Sequence, residues 1–240
     1  MTSTRLPGKV LMPVVGKPML EHMVERLTNV PSIDNIIIAT TTNSNDNPVE
    51  ALSKKLGVEC YRGNEKNVLS RVIEAAQKFN TDIIVQTTGD CPLIDADIVE
   101  NVIQAHLSNK SDYTSNILKR TFPIGMDVQV FSRTILEDVA ERTTDPEDLE
   151  HVSCYIYKNP DLYSLCNIVA PQSQRDPKLR LTLDTIEDFK LIQIIFETLY
   201  PQNGAFSLDN ILTFLKEHTE LRKINQLVSH NWLQQIEPGG

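Results

Sequence analysis

The sequence predicts an α/β fold in which a mostly parallel sheet is covered by helices on both faces. Two observations carry this expectation. Short, uniformly apolar runs, of the kind that form fully buried strands, alternate with stretches whose apolar residues recur at helical spacing. The 240-residue chain is also 40% hydrophobic with only 9 glycines, enough to bury a substantial core as a single domain, assigned here to residues 1–236.

The elements follow in order. After an opening loop, Met19, Leu20, Met23, Val24 and Leu27 mark one face of a helix over 19–27. The run Asn35-Ile36-Ile37-Ile38-Ala39-Thr40 reads as a buried strand. A helix over 49–56 then stops at Gly57, and a strand over 58–61, a helix over 68–79 and a strand over 82–87 continue the alternation. The second half is less regular, with strand candidates at 112–115, 127–131, 162–169 and 180–183; the segment from about 112 to 180 is the natural place for a variable substrate. Thr185 and Asp188 fit a capping box ahead of an amphipathic helix with Phe189, Ile192, Ile195, Phe196 and Leu199. Ser207 opens a last helical segment, 207–236, in which Leu208, Ile211, Leu212 and Leu215 recur at helical spacing.

The totals exclude several functions. No run approaches the roughly 18 apolar residues of a membrane span, and the N-terminus lacks a secretory signal, so a soluble cytoplasmic protein without a membrane partner is expected. A net charge of −9 argues against a nucleic-acid partner, because binding to the phosphate backbone needs clustered cations. Cys60, Cys91, Cys154 and Cys166 form no C-x-x-C pair, so neither a zinc site nor a disulfide framework is indicated.

Three constellations could carry chemistry. Thr2-Ser3-Thr4-Arg5-Leu6-Pro7-Gly8-Lys9 gathers hydroxyls, a glycine and two cations, the ingredients of a polyphosphate grip, although a basic turn would have the same composition. Thr87-Thr88-Gly89-Asp90-Cys91-Pro92 puts a carboxylate at the end of an apolar strand, where α/β proteins bind ligands and where Mg²⁺ would suit it; an Asp here can equally cap the following segment. Arg180-Leu181-Thr182-Leu183-Asp184-Thr185 repeats that pattern, so Asp90 and Asp184 could share one ion, with a plain helix start as the alternative for Asp184. Asp127, Glu150 and His151 stand out as polar residues in apolar surroundings; His151 fits a hydrogen-bonded core histidine as well as a ligand contact.

Taken together, these motifs resemble the SpsF-like cytidylyltransferases, related to acylneuraminate and 3-deoxy-manno-octulosonate cytidylyltransferases. The resemblance is nearly full length. It also includes Gly16-Lys17-Pro18, Thr40-Thr41-Thr42, Arg62-Gly63-Asn64-Glu65, Val68-Leu69-Ser70-Arg71, Arg120-Thr121-Phe122-Pro123 and Glu150-His151-Val152. It implies a Rossmann-like nucleotide-diphospho-sugar transferase fold and transfer of CMP from CTP to a sugar or sugar acid with release of pyrophosphate, in surface-glycan synthesis. By matching position, Arg5 and Lys9 would hold the triphosphate with Ser3 nearby, and Lys17 would add a further cation. Asp90 and Asp184 would hold Mg²⁺, Thr41, Arg71 and Thr88 would line the nucleotide site, and Arg120, Asp127, Glu150, His151 and Arg180 would face the acceptor. The resemblance also implies that the segment over about 112–180 serves the acceptor and the pairing of a homodimer. The resemblance further implies a strand ahead of the 5–9 run, so the first strand of the sheet is expected to be missing and the chain to begin late by on the order of ten residues, a strand and its turn. Two alternatives stand beside this reading: a nucleotidyltransferase for another base or a non-sugar acceptor, and a non-catalytic remnant that keeps the fold after losing that strand.

Overall fold

The computed structural model describes residues 5–228. Ser3 and the end of the segment expected over 207–236 lie outside the described residues. Strands β1 (Pro13–Val14) and β2 (Lys17–Pro18) form an antiparallel hairpin. Its central residues, Val15 and Gly16, have φ of 47° and 75°, the positive values that a two-residue type I′ turn requires. α1 (Met19–Thr28) follows at once and buries Met19, Leu20, Met23, Val24 and Leu27 along the predicted face. β3 (Ile37–Thr41), α2 (Asn47–Leu56) and β4 (Glu59–Gly63) make a parallel βαβ unit, in register from Ile37 opposite Glu59 to Thr41 opposite Gly63. α2 stops where predicted, on Gly57 in the left-handed region.

α3 (Val68–Lys78) is capped by the Asn67 side chain, and β5 (Ile83–Gln86) leads through the loop bearing Asp90 to α4 (Ala96–Asn109), whose N-cap is Asp95. β6 (Tyr113–Ser115) and β7 (Gln129–Ser132) follow, then α5 (Arg133–Arg142), α6 (Pro146–His151), α7 (Cys154–Lys158), β8 (Leu165–Asn167), α8 (Ile186–Leu199) and α9 (Leu208–Glu217). β5, β7, β6 and β8 form one sheet in that order. Its neighbours β5 and β7 are antiparallel, β7 and β6 antiparallel, and β6 and β8 parallel. The α/β class therefore holds, but the sheet is mixed where a mostly parallel one was expected: β7 inserts between β5 and β6, and an apolar run encodes burial without encoding direction. The expected strand over 180–183 is reduced to a single parallel bridge, Arg180 to Ile124.

Side chains alternate across this sheet with period two. Val85 and Val130 face a core built with α1, α2, α4, α8 and α9, whereas Ile84 and Phe131 face a second core built with α3, α5, α6 and α7. Helices thus cover both faces. Among the described residues no helix is long and apolar enough to cross a membrane.

One glycine is fixed by contact. Gly125 has φ of 102°, and a Cβ there would lie 2.7 Å from the backbone carbonyl of Leu181. It lets the chain around Ile124 run against 179–183, where Ile124 N–H donates to Leu179 O at 2.9 Å and Leu181 N–H to Ile124 O at 2.7 Å. Gly125→Ala is expected to cost about 2 kcal/mol or more, from the positive φ and the backbone overlap together. An unfolding midpoint in urea equal to that of the wild type would refute this.

Candidate active site

The site is assembled by three loops at the carboxyl end of β5. Gly8, in the left-handed region, turns the N-terminal run into a short 3₁₀ segment from Lys9 to Leu11, with Leu11 N–H donating to Gly8 O at 2.9 Å. That turn delivers the Lys9 ammonium between two carboxylates: its Nζ lies 3.0 Å from Asp90 Oδ2 and 2.8 Å from Asp184 Oδ1. The Arg5 guanidinium reaches Asp184 Oδ2 at 3.2 Å.

Asp90 stands in a tight turn after β5. Thr88 Oγ1 donates to its Oδ1 at 2.6 Å, and Cys91 N–H donates to Thr88 O at 3.1 Å. Its carbonyl is tied to the third loop, accepting from Leu183 N–H at 2.8 Å and from Thr182 Oγ1 at 3.1 Å. Asp90 caps no helix, since α4 is capped by Asp95. Asp184 caps none either: Thr185 is the N-cap of α8, in the capping box with Asp188 that the sequence predicts. Both carboxylates are therefore left for the shared ammonium.

Behind Asp184 lies a buried network. Arg180, 4% exposed, donates from Nε to Asp188 Oδ1 at 2.8 Å and from one terminal nitrogen to Asp184 Oδ2 at 2.7 Å and Asp188 Oδ2 at 3.0 Å. Asp188 Oδ2 also accepts the Asp184 and Thr185 N–H groups, both at 2.9 Å, and Asn225 Nδ2 donates to Asp188 Oδ1 at 2.9 Å. Burial alone would raise the Asp184 carboxyl, but the hydrogen bond and charge of Lys9, then Arg180 and Arg5, outweigh it and hold it down at about 2. Burial works against the charged form of Lys9 too, and the two aspartates overcome it, so its pKa is raised. Arg180, expected on the acceptor side, thus stands behind a site carboxylate and holds it in place.

The other expected residues have partners of their own. Thr41, at the carboxyl end of β3, donates from its N–H and its hydroxyl to Asp46 at 3.0 and 2.6 Å; Arg62 binds the Thr41 carbonyl at 2.8 Å. Arg71, its pKa lowered by burial, donates to Asn64 O at 2.6 Å. Arg120 and Asp127 form a two-pronged ion pair at 2.6 and 2.8 Å. Glu150 is exposed on α6 and His151 ends that helix, next to Val152, whose φ of 59° is strained for a β-branched residue. Lys17 follows the hairpin turn, and its Nζ is hydrogen-bonded to Glu25 and lies 2.8 Å from Tyr200 Oη. Two other cavities, about 210 Å³ beside Arg26 and Asp95 and about 340 Å³ beside Thr198 and Phe214, contain none of the expected residues.

Sequence reasoning missed Asp46 and Asn225. Asp46 could have been suspected from its place in a polar turn after a strand; Asn225 carries no local signal, because its partner Arg180 is 45 residues away.

The arrangement offers two hard-oxygen ligands facing one cation position, which the Lys9 ammonium occupies, with the Arg5 guanidinium beside Asp184. Among the described residues no group of three or more His, Cys, Asp or Glu side chains could hold a metal by themselves. A pair of carboxylates of this kind suits Mg²⁺, which takes one or two carboxylates and completes its shell with water and substrate phosphates.

Known proteins share this sequence pattern and fold. The family model for cytidylyltransferases matches residues 1–227. The spore coat polysaccharide biosynthesis protein SpsF of Bacillus subtilis is 34% identical over 202 residues, covering 82% of this chain and 83% of that protein. The 3-deoxy-manno-octulosonate cytidylyltransferase of Geobacter metallireducens is 26% identical, covering 85% and 88%. The solved structure of a cytidylyltransferase from Leptospira borgpetersenii superposes with a TM-score of 0.89 at 33% identity, covering 96% of this chain and 95% of that one. The chain belongs to the cytidylyltransferase family and is a nucleotidyltransferase.

Proposed function

We propose that this enzyme transfers CMP from CTP to a sugar or sugar acid and releases pyrophosphate, and that it serves surface-polysaccharide synthesis. The observation that supports this most is the convergence of Lys9, Asp90 and Asp184 from three separate loops, with Arg5 beside them. A hydroxyl oxygen of the acceptor forms the new bond to the α-phosphorus, the bond from that phosphorus to the oxygen bridging to the β-phosphate breaks, and the hydroxyl proton is lost to solvent. No covalent enzyme intermediate is needed, so the protein's part is alignment and charge neutralisation. Arg5 and Lys9 hold the triphosphate and the departing pyrophosphate by charge-assisted hydrogen bonds. Asp90 and Asp184 would hold Mg²⁺, which, when bound, neutralises charge on the phosphate oxygens. Thr41 and Arg71 form the nucleotide side, and Arg120, Asp127 and His151 the acceptor side.

Pyrophosphate release tests the reading directly. With Mg²⁺ and a panel of sugars and sugar acids, turnover is expected with CTP and to exceed that with ATP, GTP or UTP by at least on the order of a hundredfold, the discrimination a site built to hydrogen-bond one base can achieve. Equal turnover with another nucleoside triphosphate would move the enzyme to another base. Release that depends on CTP but on no sugar in the panel would move the acceptor outside that class.

A further inference from the structure

We infer that Lys9 is the resident counter-ion of the metal-binding carboxylates, so that Mg²⁺ and the nucleotide triphosphate bind cooperatively by drawing this one ammonium from the first partner set to the second. The inference rests on the proposed function for the identity of the two ligands, and goes beyond it in linking their binding.

Three observations carry it. The Lys9 ammonium occupies the position between Asp90 and Asp184, at 3.0 and 2.8 Å, where a shared cation would stand. The side chain is 15% exposed, so few other partners compete for it. The cluster is also already balanced, with Lys9, Arg5 and Arg180 set against Asp90, Asp184 and Asp188.

A divalent ion entering that balanced cluster meets carboxylates whose charge is already spent and an ammonium at hydrogen-bonding distance, which repels it. A triphosphate entering alone meets cations held by carboxylates, and two carboxylates that repel it. Arriving together, each ligand removes the other's obstacle: the phosphates take Lys9 and Arg5, and the freed carboxylates take the metal. This linkage is reciprocal by thermodynamic necessity, because a coupling that tightens one ligand tightens the other by the same factor. Before either ligand arrives, Lys9 also keeps Asp90 and Asp184 together against their mutual repulsion. It is a positioning residue for the metal side as well as a contact for the phosphate side.

The test turns on an unusual sign. Lys9→Met removes the ammonium and keeps a side chain of similar length. Titrated calorimetrically with Mg²⁺ alone, this variant is expected to bind the ion more tightly than the wild type, by on the order of tenfold, within the range of ordinary allosteric couplings. Its melting temperature should also rise more steeply with Mg²⁺. Titrated with a non-hydrolysable CTP analogue in the absence of metal, it should bind more weakly. Lys9→Arg, which restores a cation, should return Mg²⁺ affinity toward the wild-type value, and Lys9→Gln should repeat the Lys9→Met result should that variant fail to fold. Unchanged or weaker binding of Mg²⁺ alone in both uncharged variants would overturn the inference. Wild-type CMP transfer from CTP is measured separately, so loss of the cooperativity claim would leave the proposed reaction standing, and loss of the reaction would show as absent transfer whatever the titrations give.

Discussion

Asp90→Asn is expected to lower Mg²⁺-dependent turnover by on the order of 10³-fold while leaving the fold intact, since polarising phosphate oxygens through a metal contributes several kcal/mol. The structure separates the two effects. The Asn carboxamide keeps an oxygen for the Thr88 hydroxyl, which donates to Asp90 Oδ1 at 2.6 Å. The backbone carbonyl that ties this loop to Leu183 and Thr182 is untouched. Lys9 retains Asp184 at 2.8 Å. What disappears is one of the two negative ligands, so the dependence of rate on Mg²⁺ concentration should shift upward together with the fall in kcat. Wild-type turnover at low Mg²⁺ would rule Asp90 out as a principal ligand. A variant inactive because it is unfolded would reveal itself by a lowered melting temperature, which is not expected.

How much of this was legible beforehand depends on whether the signal was local. The helix expected over 19–27, the stop at Gly57 and the capping box of Thr185 and Asp188 are encoded within a few residues, and the structure has all three, the helix running to Thr28. Asp90 and Asp184 could be singled out because each follows an apolar run, the sequence signature of a strand end. Strand direction could not be read, because β7 reaches its place between β5 and β6 by a long return through 116–128 and is paired on both edges by partners remote in sequence.

The partners that two of the expected cations take have equally physical causes. Lys17 belongs by composition with the basic N-terminal run, but the positive φ of Val15 and Gly16 reverses the chain and gives it to Glu25 and Tyr200. Arg180 is assigned to the acceptor side by the resemblance alone, and its own stretch of sequence does not name its partner. The carboxylate that occupies it, Asp188, is buried in the first turn of α8, where its sequence role reads only as a cap.

That burial makes Arg180→Met the second large effect. The guanidinium compensates Asp188, which is fully buried, and supports Asp184, which is 9% exposed. Removing one partner of a buried ion pair costs about 3–5 kcal/mol, because the charge left behind has lost its compensation. Among the described residues, the Asp188 carboxylate would keep Asn225 and two backbone N–H groups. The pH dependence has a definite sign. In the wild type the Asp184 carboxyl, at about 2, lies below its unfolded value of about 3.9, so its contribution is fully present above pH about 4 and is lost as pH falls toward 2. Without Arg180 that value moves back up, so the variant has less of this contribution to lose. Its deficit relative to the wild type should therefore be largest near neutral pH and shrink as the solution is acidified from about 5 to about 2. Activity should fall by about 10- to 100-fold even where the variant is fully folded, the usual cost of loosening a group that orients a metal ligand. Denaturant midpoints measured across that pH range decide the matter. A deficit that does not change with pH would show that Arg180 contributes packing alone, and that Asp184 keeps its place without it.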